Sequence, residues 1–351
     1  MKRRSLLLCL LPLMLSAQAA RADEEVIGAG ATFPAPLIEA CAAKYSKESG
    51  VRLLYRAVGS DEGIRRLTAR SADFALTDVP LTQAELEQDD LMQFPVIAGA
   101  IVPVLNLPGV GDGQLRLSGA VLADIYLGKI SRWDDAALKA LNPQLNLPGL
   151  PIRVVHRAEG SGTSFVFTYY LSQASAEWQD RFGIGSRLAW PAGQGAEGNE
   201  GVAQAVHDTP GAIGYVEYTY AAEHGLVAAQ LRNRSGQFVR ASEAGVRAAL
   251  ASAQWSRAGY YEVLADREGA DSWPIVGVSF ALIHQRQEDR ADAAATLGFL
   301  HWVYAYGAEP ARQLHYVVLD AALVGRIESS WSRVHDEDGQ PLWNAGPEVV
   351  R

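Results

Sequence analysis

Short predicted strands alternate with amphipathic helices along most of this chain, and that alternation is the strongest constraint on its fold. A strand is predicted from Glu25 to Gly28, and a helix from about Ala35 to Glu48 follows it. Such alternation is typical of α/β proteins, in which helices pack on a largely parallel sheet. The stretch from Phe94 to Asn106 is unusually apolar. It is predicted to be a central strand or a crossing between two lobes.

The same patterns predict the other elements of an α/β fold. Further strands are predicted at 51–55, 74–77, 154–155, 213–216 and 280–284. Further helices are predicted at 60–69, 84–90, 132–141, 164–172, 291–307 and 319–331. Thr82 and Glu85 have the spacing of a capping box, and Ser131 is predicted to cap the helix at 132–141.

The first 22 residues have the pattern of a secretory signal peptide. Basic residues at 2–4 precede an apolar run at 5–15, and small residues follow it. The run is too short to span a bilayer. Cleavage fits after Ala19 or after Ala22, and the second position is favoured because Asp23 follows it. We therefore expect a soluble protein that is exported to the periplasm.

The charge and the cysteine content exclude several classes of protein. The chain has a net charge of −9, and the predicted signal peptide holds four basic residues and no acidic one, which leaves about −13 for the rest. Nucleic-acid binding is not expected, because the basic footprint is missing. Cys41 has no second cysteine to pair with after cleavage, so we expect a buried thiol. The seven histidines lack metal-ligand spacing, so neither a metal nor a cofactor is expected.

Three predicted strand–helix junctions carry small or hydroxyl residues where a helix begins. They lie at 31–33, 59–60 and 160–163, and Arg157 precedes the third. Helix N-termini present unpaired N–H groups and a partial positive charge, so they bind anions without needing Lys or Arg. Each junction taken singly is more typical of an ordinary helix cap than of a binding site. Together they predict a site for a small oxyanion in an acidic chain.

Four segments resemble the PstS family, the phosphate-binding proteins of bacterial high-affinity phosphate ABC transporters. They are GAGATFPAP at 28–36, IYLGKISRWDD at 125–135, GSGTSFVF at 160–167 and PGAIGYVEY at 210–218. The resemblance is collinear over nearly the whole chain beyond the signal peptide. It implies a two-lobed α/β Venus-flytrap fold of the class II type, with hinge strands between the lobes. The implied parts are the signal peptide at 1–22, lobe 1 at 23–98 and 274–343, lobe 2 at 99–273, and a tail at 344–351.

The resemblance also implies the ligand, its contacts and the partners. The implied phosphate contacts are Thr32, the Phe33 backbone, Ser60 and Asp78 in lobe 1, and Arg157, Ser161, the Gly162 backbone and Thr163 in lobe 2. Asp78 would accept a hydrogen bond from the O–H of phosphate and disfavour sulfate, which has no proton. Glu159 would pair with Arg157 and orient it. The expected partners are the permease subunits of an ABC importer, and the protein is expected to be a monomer without enzymatic activity.

Three acidic residues depart from the pattern of the family. Asp61 and Glu62 stand where the family typically has Ser and Gly, and Glu159 stands where Asp is common. Acids in the first turn of a helix suit the helix dipole, so Asp61 and Glu62 are expected to face water. The alternative is that they oppose the anion. If Asp61 faces the cleft, its replacement by Ser is expected to tighten binding modestly.

Two other readings of the sequence stay open. Ser161 and His156 could serve a serine hydrolase, although Ser161 lacks the G-x-S-x-G elbow. The same fold could also be retuned to arsenate or sulfate. Glycines at 193, 195 and 198 match G-x-G-x-x-G, but no strand is predicted before them. We interpret this stretch as a mobile loop before a helix at Gly201.

Overall fold

The structure is a computed structural model that describes residues 25–343. The predicted signal peptide at 1–22 and the predicted tail at 344–351 lie outside the described residues. Among the described helices, none combines the length and the apolar character that a membrane crossing requires.

Strands and helices alternate as the sequence predicts. The strands of the described chain are β1 Glu25–Gly30, β2 Arg52–Ala57, β3 Phe74–Thr77, β4 Leu91–Leu105, β5 Arg116–Leu117, β6 Arg153–Arg157, β7 Gln194–Ala196, β8 Ala212–Glu217, β9 Val227–Ala228, β10 Gln230–Arg232, β11 Phe238–Val239, β12 Leu264–Ala265, β13 Ile275–His284 and β14 Val317–Val318. The helices are α1 Ala35–Ser49, α2 Ser60–Thr68, α3 Gln83–Gln88, α4 Gly119–Tyr126, α5 Ala136–Leu141, α6 Gly162–Ala174, α7 Ala176–Arg181, α8 Gly198–Asp208, α9 Tyr218–Glu223, α10 Glu243–Leu250, α11 Arg290–Tyr306, α12 Ala308–Gln313 and α13 Ala321–Ser330. Single 3₁₀ turns lie at 258–260 and 331–333.

The long strand β4 joins the two halves of the fold. All 15 of its residues are buried. Its first part, from Leu91 to Ala100, pairs antiparallel with β13, and its second part, from Ile101 to Leu105, pairs antiparallel with β8. An apolar strand buried on both faces can cross from one lobe to the other without exposing its side chains. The prediction of a crossing strand in this region is confirmed.

The two lobes use the same strand–helix design. In the first, β1 pairs in parallel with β2 and β3, and β13 closes the sheet against β3. In the second, β6 lies between β7 and β8 and is parallel to both. Helices follow directly on the carboxyl ends of these strands, as α1 follows β1 and α6 follows β6. Ligands of open α/β sheets bind at those ends, in the crevice that the helices leave.

One predicted helix is shorter than expected. The predicted cap Ser131 and the predicted start at Arg132 are wrong, because the helix runs only from Ala136 to Leu141. Asp135 caps it, and its Oδ1 accepts the N–H of Ala137 at 2.8 Å. Arg132 is held outside the helix by a bridge to Pro151. The predicted capping box at Thr82 and Glu85, by contrast, is confirmed.

Cys41 lies in the core of the first lobe. Its side chain is fully buried on α1. Burial raises the pKa of the thiol to about 12, and the charge of Lys44 offsets only part of that shift. The predicted buried thiol is confirmed, and the high pKa keeps it in the unreactive protonated form.

Helix α2 depends on a glycine for its position, and this dependence gives a first prediction. A Cβ on Gly63 would lie 2.3 Å from Gly30 Cα, in the backbone of β1. We expect Gly63→Ala to push α2 away from β1 and to lower the free energy of unfolding by about 2 kcal/mol. Urea denaturation followed by circular dichroism measures this change.

Gly325 provides the matched control. It also lies inside a helix, α13, but no atom lies within 4 Å of the place where its Cβ would be. Gly325→Ala is expected to stabilise the protein by up to about 1 kcal/mol through helix propensity alone. Equal unfolding free energies for the two variants would contradict the close contact between α2 and β1.

Candidate anion-binding site

The N-termini of α2 and α6 meet between the two lobes. Ser60 begins α2, and its Oγ accepts a hydrogen bond from the Gly162 N–H at 3.1 Å. Ser161 caps α6, and its Oγ accepts the N–H of Ser164 at 3.2 Å. Both serines are almost fully buried. The predicted junctions at 59–60 and 160–163 therefore face each other, although they are about a hundred residues apart.

Gly162 is required by this close approach. A Cβ at this position would lie 2.5 Å from Ser60 Oγ and 2.6 Å from Asp78 Cβ. No larger residue fits without separating the lobes, because real Cβ atoms do not approach that closely. The backbone N–H of Gly162 is thus held at the centre of the site by the absence of a side chain.

Asp78 is the unusual group of the site. It is 2 % exposed, and neither of its carboxyl oxygens has a hydrogen-bond partner among the described residues. Burial raises the pKa of Asp78 to about 7, against the opposing influence of Ser279 and of the Arg157 charge. A buried carboxyl without a partner costs several kcal/mol unless a donor reaches it. Asp78 is therefore a buried acceptor whose hydrogen-bonding capacity the described residues leave largely unused, although the Ser279 hydroxyl lies near it and lowers its pKa.

Arg157 brings a full positive charge to the end of β6. Its Nε donates to Glu159 Oε1 at 2.9 Å, and its Nη2 contacts the same oxygen. Its Nη1 is buried without a partner among residues 25–343. Burial alone would raise the pKa of Glu159, but the charge and hydrogen bonds of Arg157 and the N–H of Gly198 hold it below its usual value. The predicted Arg157–Glu159 pair is confirmed, and it leaves one guanidinium nitrogen free for a ligand.

The junction after β1 contacts the second lobe through Asn199, a residue that the sequence analysis did not single out. Asn199 Nδ2 donates to Thr32 Oγ1 at 2.8 Å and to Thr163 Oγ1 at 3.3 Å. Asn199 is fully buried, and both threonines are at least nine-tenths buried. Asn199 follows directly on the glycine stretch for which the sequence predicts a loop, so no local pattern marks it as a site residue. The contacts of Asn199 with Thr32 and Thr163 join distant parts of the chain, so no spacing in the sequence predicts them.

Phe33 anchors the same junction to the first lobe. Its ring is fully buried and contacts Tyr316 edge-on at 6.0 Å between centroids. Its carbonyl oxygen accepts the Tyr316 hydroxyl at 2.6 Å. The carbonyl oxygen of Thr32 accepts the Tyr220 hydroxyl at 2.7 Å. Two tyrosines thus bind the carbonyl groups of this junction, which fixes its backbone for ligand binding.

The two acids of α2 behave differently from each other. Asp61 does not simply face water, because its Oδ2 accepts the Ser186 hydroxyl at 3.0 Å across the cleft. Glu62 contacts Arg65 and Arg66, at 2.7 Å and 2.8 Å, on the outer face of the helix. The expectation of a solvated residue is therefore wrong for Asp61, which joins the first lobe to the second. Glu62 belongs to a surface ion-pair cluster.

The glycine stretch at 193–198 is structured. Residues 194–196 form β7, which pairs with β6, and α8 begins at Gly198 rather than at Gly201. The Gly198 N–H donates to Glu159 Oε1 at 3.1 Å. The predicted loop before Gly201 is therefore wrong, because pairing with β6 orders the stretch. The ordered stretch thus supports the Arg157–Glu159 pair through the N–H of Gly198.

The side chains of Ser161 and His156, the pair considered for a serine hydrolase, make separate contacts. The His156 ring stacks on Trp190 at 4.9 Å, and its Nδ1 lies 3.0 Å from the Arg157 carbonyl oxygen. The Ser161 oxygen accepts the helix-capping bond from Ser164. These contacts of each side chain thus serve local structure.

A groove opens beside Thr32 and Glu159, and its rim is acidic. The acidic residues that line it, besides Glu159, are Glu39, Glu197, Glu200 and Glu223. The site and the groove beside it therefore differ in the kind of polar group that lines them. Donors line the interior of the site, while carboxylates surround the groove next to it.

The structure brings the predicted site residues into one buried cluster between the lobes. The predicted residues in this cluster are Thr32, Phe33, Ser60, Asp78, Arg157, Ser161, Gly162 and Thr163, with Glu159 beside Arg157. Most of the polar groups are N–H or O–H donors, and Asp78 is the unpartnered acceptor. Such a set fits an oxyanion that carries at least one proton.

The comparisons with known proteins agree with this geometry. The model of the PBP superfamily domain matches residues 15–305. The phosphate-binding protein PstS of Pasteurella multocida is 43% identical over 347 residues, which cover 98% of this chain and 100% of the relative. That of Xylella fastidiosa strain 9a5c is 43% identical over 309 residues, covering 88% and 85%. The chain belongs to the PstS family of phosphate-binding proteins. Membership confirms the resemblance that the four sequence segments indicated.

Solved structures support the same fold. A high-affinity periplasmic phosphate-binding protein, PfluDING, solved with bound phosphate, matches with a TM-score of 0.71 at 19% identity, covering 88% of this chain and 94% of the other. A phosphate-binding protein from Stenotrophomonas maltophilia matches with a TM-score of 0.67 at 20% identity, covering 87% and 93%. The two-lobed periplasmic-binding-protein fold is thereby confirmed.

The raised pKa of Asp78 gives a second prediction. The folded protein holds a proton on Asp78 up to about pH 7, whereas the unfolded chain releases it near pH 4. The free energy of unfolding without added anion should therefore fall as pH rises through this window, by roughly 2–4 kcal/mol. Urea denaturation at several pH values in an anion-free buffer measures the slope.

The variant Asp78→Asn separates the contribution of Asp78 to this pH dependence from the contributions of other titratable groups. Glu217 is also fully buried, and burial raises its pKa to about 8, so it contributes a slope of the same sign. We expect the variant to lose only the part between about pH 4 and pH 7 and to be more stable than the natural protein at pH 8. Parallel stability curves for the two proteins would contradict a raised pKa at Asp78.

Proposed function

We propose that this chain captures inorganic phosphate between its two lobes and delivers it to an ABC importer. The observation that carries the proposal is the buried carboxyl of Asp78 without a hydrogen-bond partner, set among donors. A phosphate oxygen that carries a proton supplies the missing donor. Its other oxygens accept from Ser60, Arg157 and the N-terminus of α6.

The proposed ligand contacts are those that the sequence analysis names. Thr32, Ser60, Ser161 and Thr163 donate through their side chains, and Phe33 donates through its backbone. The Gly162 N–H, which contacts Ser60 Oγ at 3.1 Å, turns to the anion when the anion binds. Arg157 binds through its free Nη1, while Glu159 holds the rest of its guanidinium group. Family membership and the burial of this cluster support the assignment.

The wider role follows from the family. The proposed lobes are 23–98 with 274–343, and 99–273. The change of partner along β4 between Ala100 and Ile101 supports that division. The protein is exported to the periplasm after cleavage of residues 1–22, acts as a monomer, and delivers its ligand to the permease subunits of the importer. It requires no cofactor and catalyses no reaction.

Isothermal titration calorimetry with competing anions tests the ligand. At pH 8, where Asp78 is ionised, we expect saturable one-to-one binding of phosphate, competition by arsenate, which also carries a proton, and none by sulfate. Stronger binding of sulfate than of phosphate would contradict the role of Asp78. A phosphatase assay on the same preparation tests the hydrolase alternative, and turnover would overturn the proposal.

Selectivity gives a third prediction, at Asp78. Replacing Asp78 by Asn exchanges one acceptor oxygen for a donor amide. We expect phosphate affinity to fall about 100-fold, because the ligand O–H loses its charged acceptor. Sulfate, which has no proton, should become a better competitor. Titration of both anions into the variant and into the natural protein provides the measurement.

The contact between Asp61 and Ser186 gives a fourth prediction. The hydrogen bond joins the lobes, so we expect Asp61→Ala and Ser186→Ala to weaken phosphate binding by a similar factor, about fivefold each. The double variant should be no weaker than either single one. Glu62→Ala is the control, because Glu62 pairs only within α2 in the contacts described.

The opposite result for Asp61 has a clear meaning. If the Asp61 carboxylate acts mainly by repelling the anion, its removal tightens binding, while Ser186→Ala leaves the affinity unchanged. That outcome would revive the expectation drawn from the sequence and reject the interlobe contact as a stabiliser of the bound form.

A further inference from the structure

Asn199 touches two of the proposed phosphate ligands, one from each lobe. It lies in the first turn of α8 and is fully buried. Its backbone N–H and its Nδ2 both donate to Thr32 Oγ1, at 3.2 Å and 2.8 Å. The second hydrogen of Nδ2 points to Thr163 Oγ1 at 3.3 Å. One amide side chain thus connects a hydroxyl of the first lobe with a hydroxyl of the second.

The orientation of this amide is determined by a third contact. The N–H of Glu217 donates to Asn199 Oδ1 at 2.9 Å. If the amide were reversed, its NH₂ group would face that N–H and its oxygen would face the two threonines. The Glu217 contact excludes the reversed form, because it would bring two donors together in a buried place. Both amide hydrogens are therefore directed at the threonines.

The fixed amide determines what the hydroxyl groups can do. A hydroxyl has one hydrogen and two lone pairs. Thr32 Oγ1 accepts from the N–H and the Nδ2 of Asn199, so both of its lone pairs are used. Its hydrogen is the only hydrogen-bonding capacity that remains. Thr163 Oγ1 accepts from the same amide, which uses one of its two lone pairs and directs its hydrogen away from Asn199.

We propose that Asn199 is a positioning residue that fixes the Thr32 and Thr163 hydroxyls as donors to the bound anion. The proposal rests on the proposed phosphate function. It deepens that function, because Thr32 Oγ1 has no lone pair left to accept from a ligand oxygen that carries a proton, and such an oxygen is directed to Asp78. Since Thr32 and Asn199 lie in different lobes, the donor direction of Thr32 is set only when the lobes meet.

A double-mutant cycle tests the proposal by phosphate titration calorimetry. Asn199→Ala should weaken binding about tenfold, because the hydroxyls become free to turn away. Asn199→Asp should weaken it about 100-fold, because a carboxylate in place of the amide takes the hydroxyl hydrogens for itself. In a protein that already carries Thr32→Val and Thr163→Val, Asn199→Ala should change the affinity less than about twofold.

Asn142 provides a matched control. It is also a fully buried asparagine, but its side chain bonds only to the backbone of Arg116 and Leu138 in the contacts described. Asn142→Ala should lower the melting temperature and leave phosphate affinity unchanged. If Asn199 were merely structural, Asn199→Ala would also lower the melting temperature, and its effect on phosphate affinity would be the same with and without the threonine hydroxyls. That result would overturn the proposal.

The outcomes separate this inference from the function on which it rests. If the natural protein does not bind phosphate, the proposed function fails. If it binds phosphate and Asn199→Ala binds equally well, only the role of Asn199 fails. Should the variants at position 199 not fold, NMR of the natural protein with phosphate decides. Correlations between the two threonine hydroxyl protons and phosphorus support the proposal, and hydroxyl protons directed at Asn199 overturn it.

Discussion

A carboxyl group that is buried without a partner is costly, and the site of this protein is organised around one. Asp78 has both oxygens unpaired among the described residues and a pKa raised by burial. Below about pH 7 the carboxyl lowers this cost by holding a proton, and above that pH a donor that arrives between the lobes offsets it. The other groups of the site are mainly donors, so the arriving molecule must supply acceptors and one proton together. That requirement connects the fold, the stability and the selectivity of the protein.

The acidic character of the chain does not conflict with anion binding. The site uses the dipoles of helix N-termini and hydroxyl groups, which contribute no net charge. Arg157 adds a full charge, but Glu159 shares it, and acidic residues line the groove beside the site. Affinity then depends on donor geometry rather than on long-range attraction. Small displacements of α2 or α6 are therefore expected to matter more than changes of surface charge.

Local features of this protein were predictable where neighbouring residues determine the structure. The helix starts at Ser60 and near Ser161, the strand before Asp78 and the buried crossing strand follow from hydrophobic periodicity and capping chemistry. The helix predicted from Arg132 was wrong because its first turn bonds to a distant segment at Pro151. The stretch at 193–198 was misjudged for a similar reason, since β6 orders it from outside.

The class of fold, the crossing strand and the helix N-termini that supply donors were predictable from the residues alone, because capping and periodicity act over a few residues. Family resemblance added Asp78, which no local pattern marks as a ligand. The contact of Asp61 with Ser186, and the link that Asn199 makes between Thr32 and Thr163, are seen only in the three-dimensional structure. The Asp61–Ser186 and Thr32–Asn199 contacts link residues from different lobes. These contacts depend on how the two lobes meet, and no spacing along the chain predicts the geometry of that meeting.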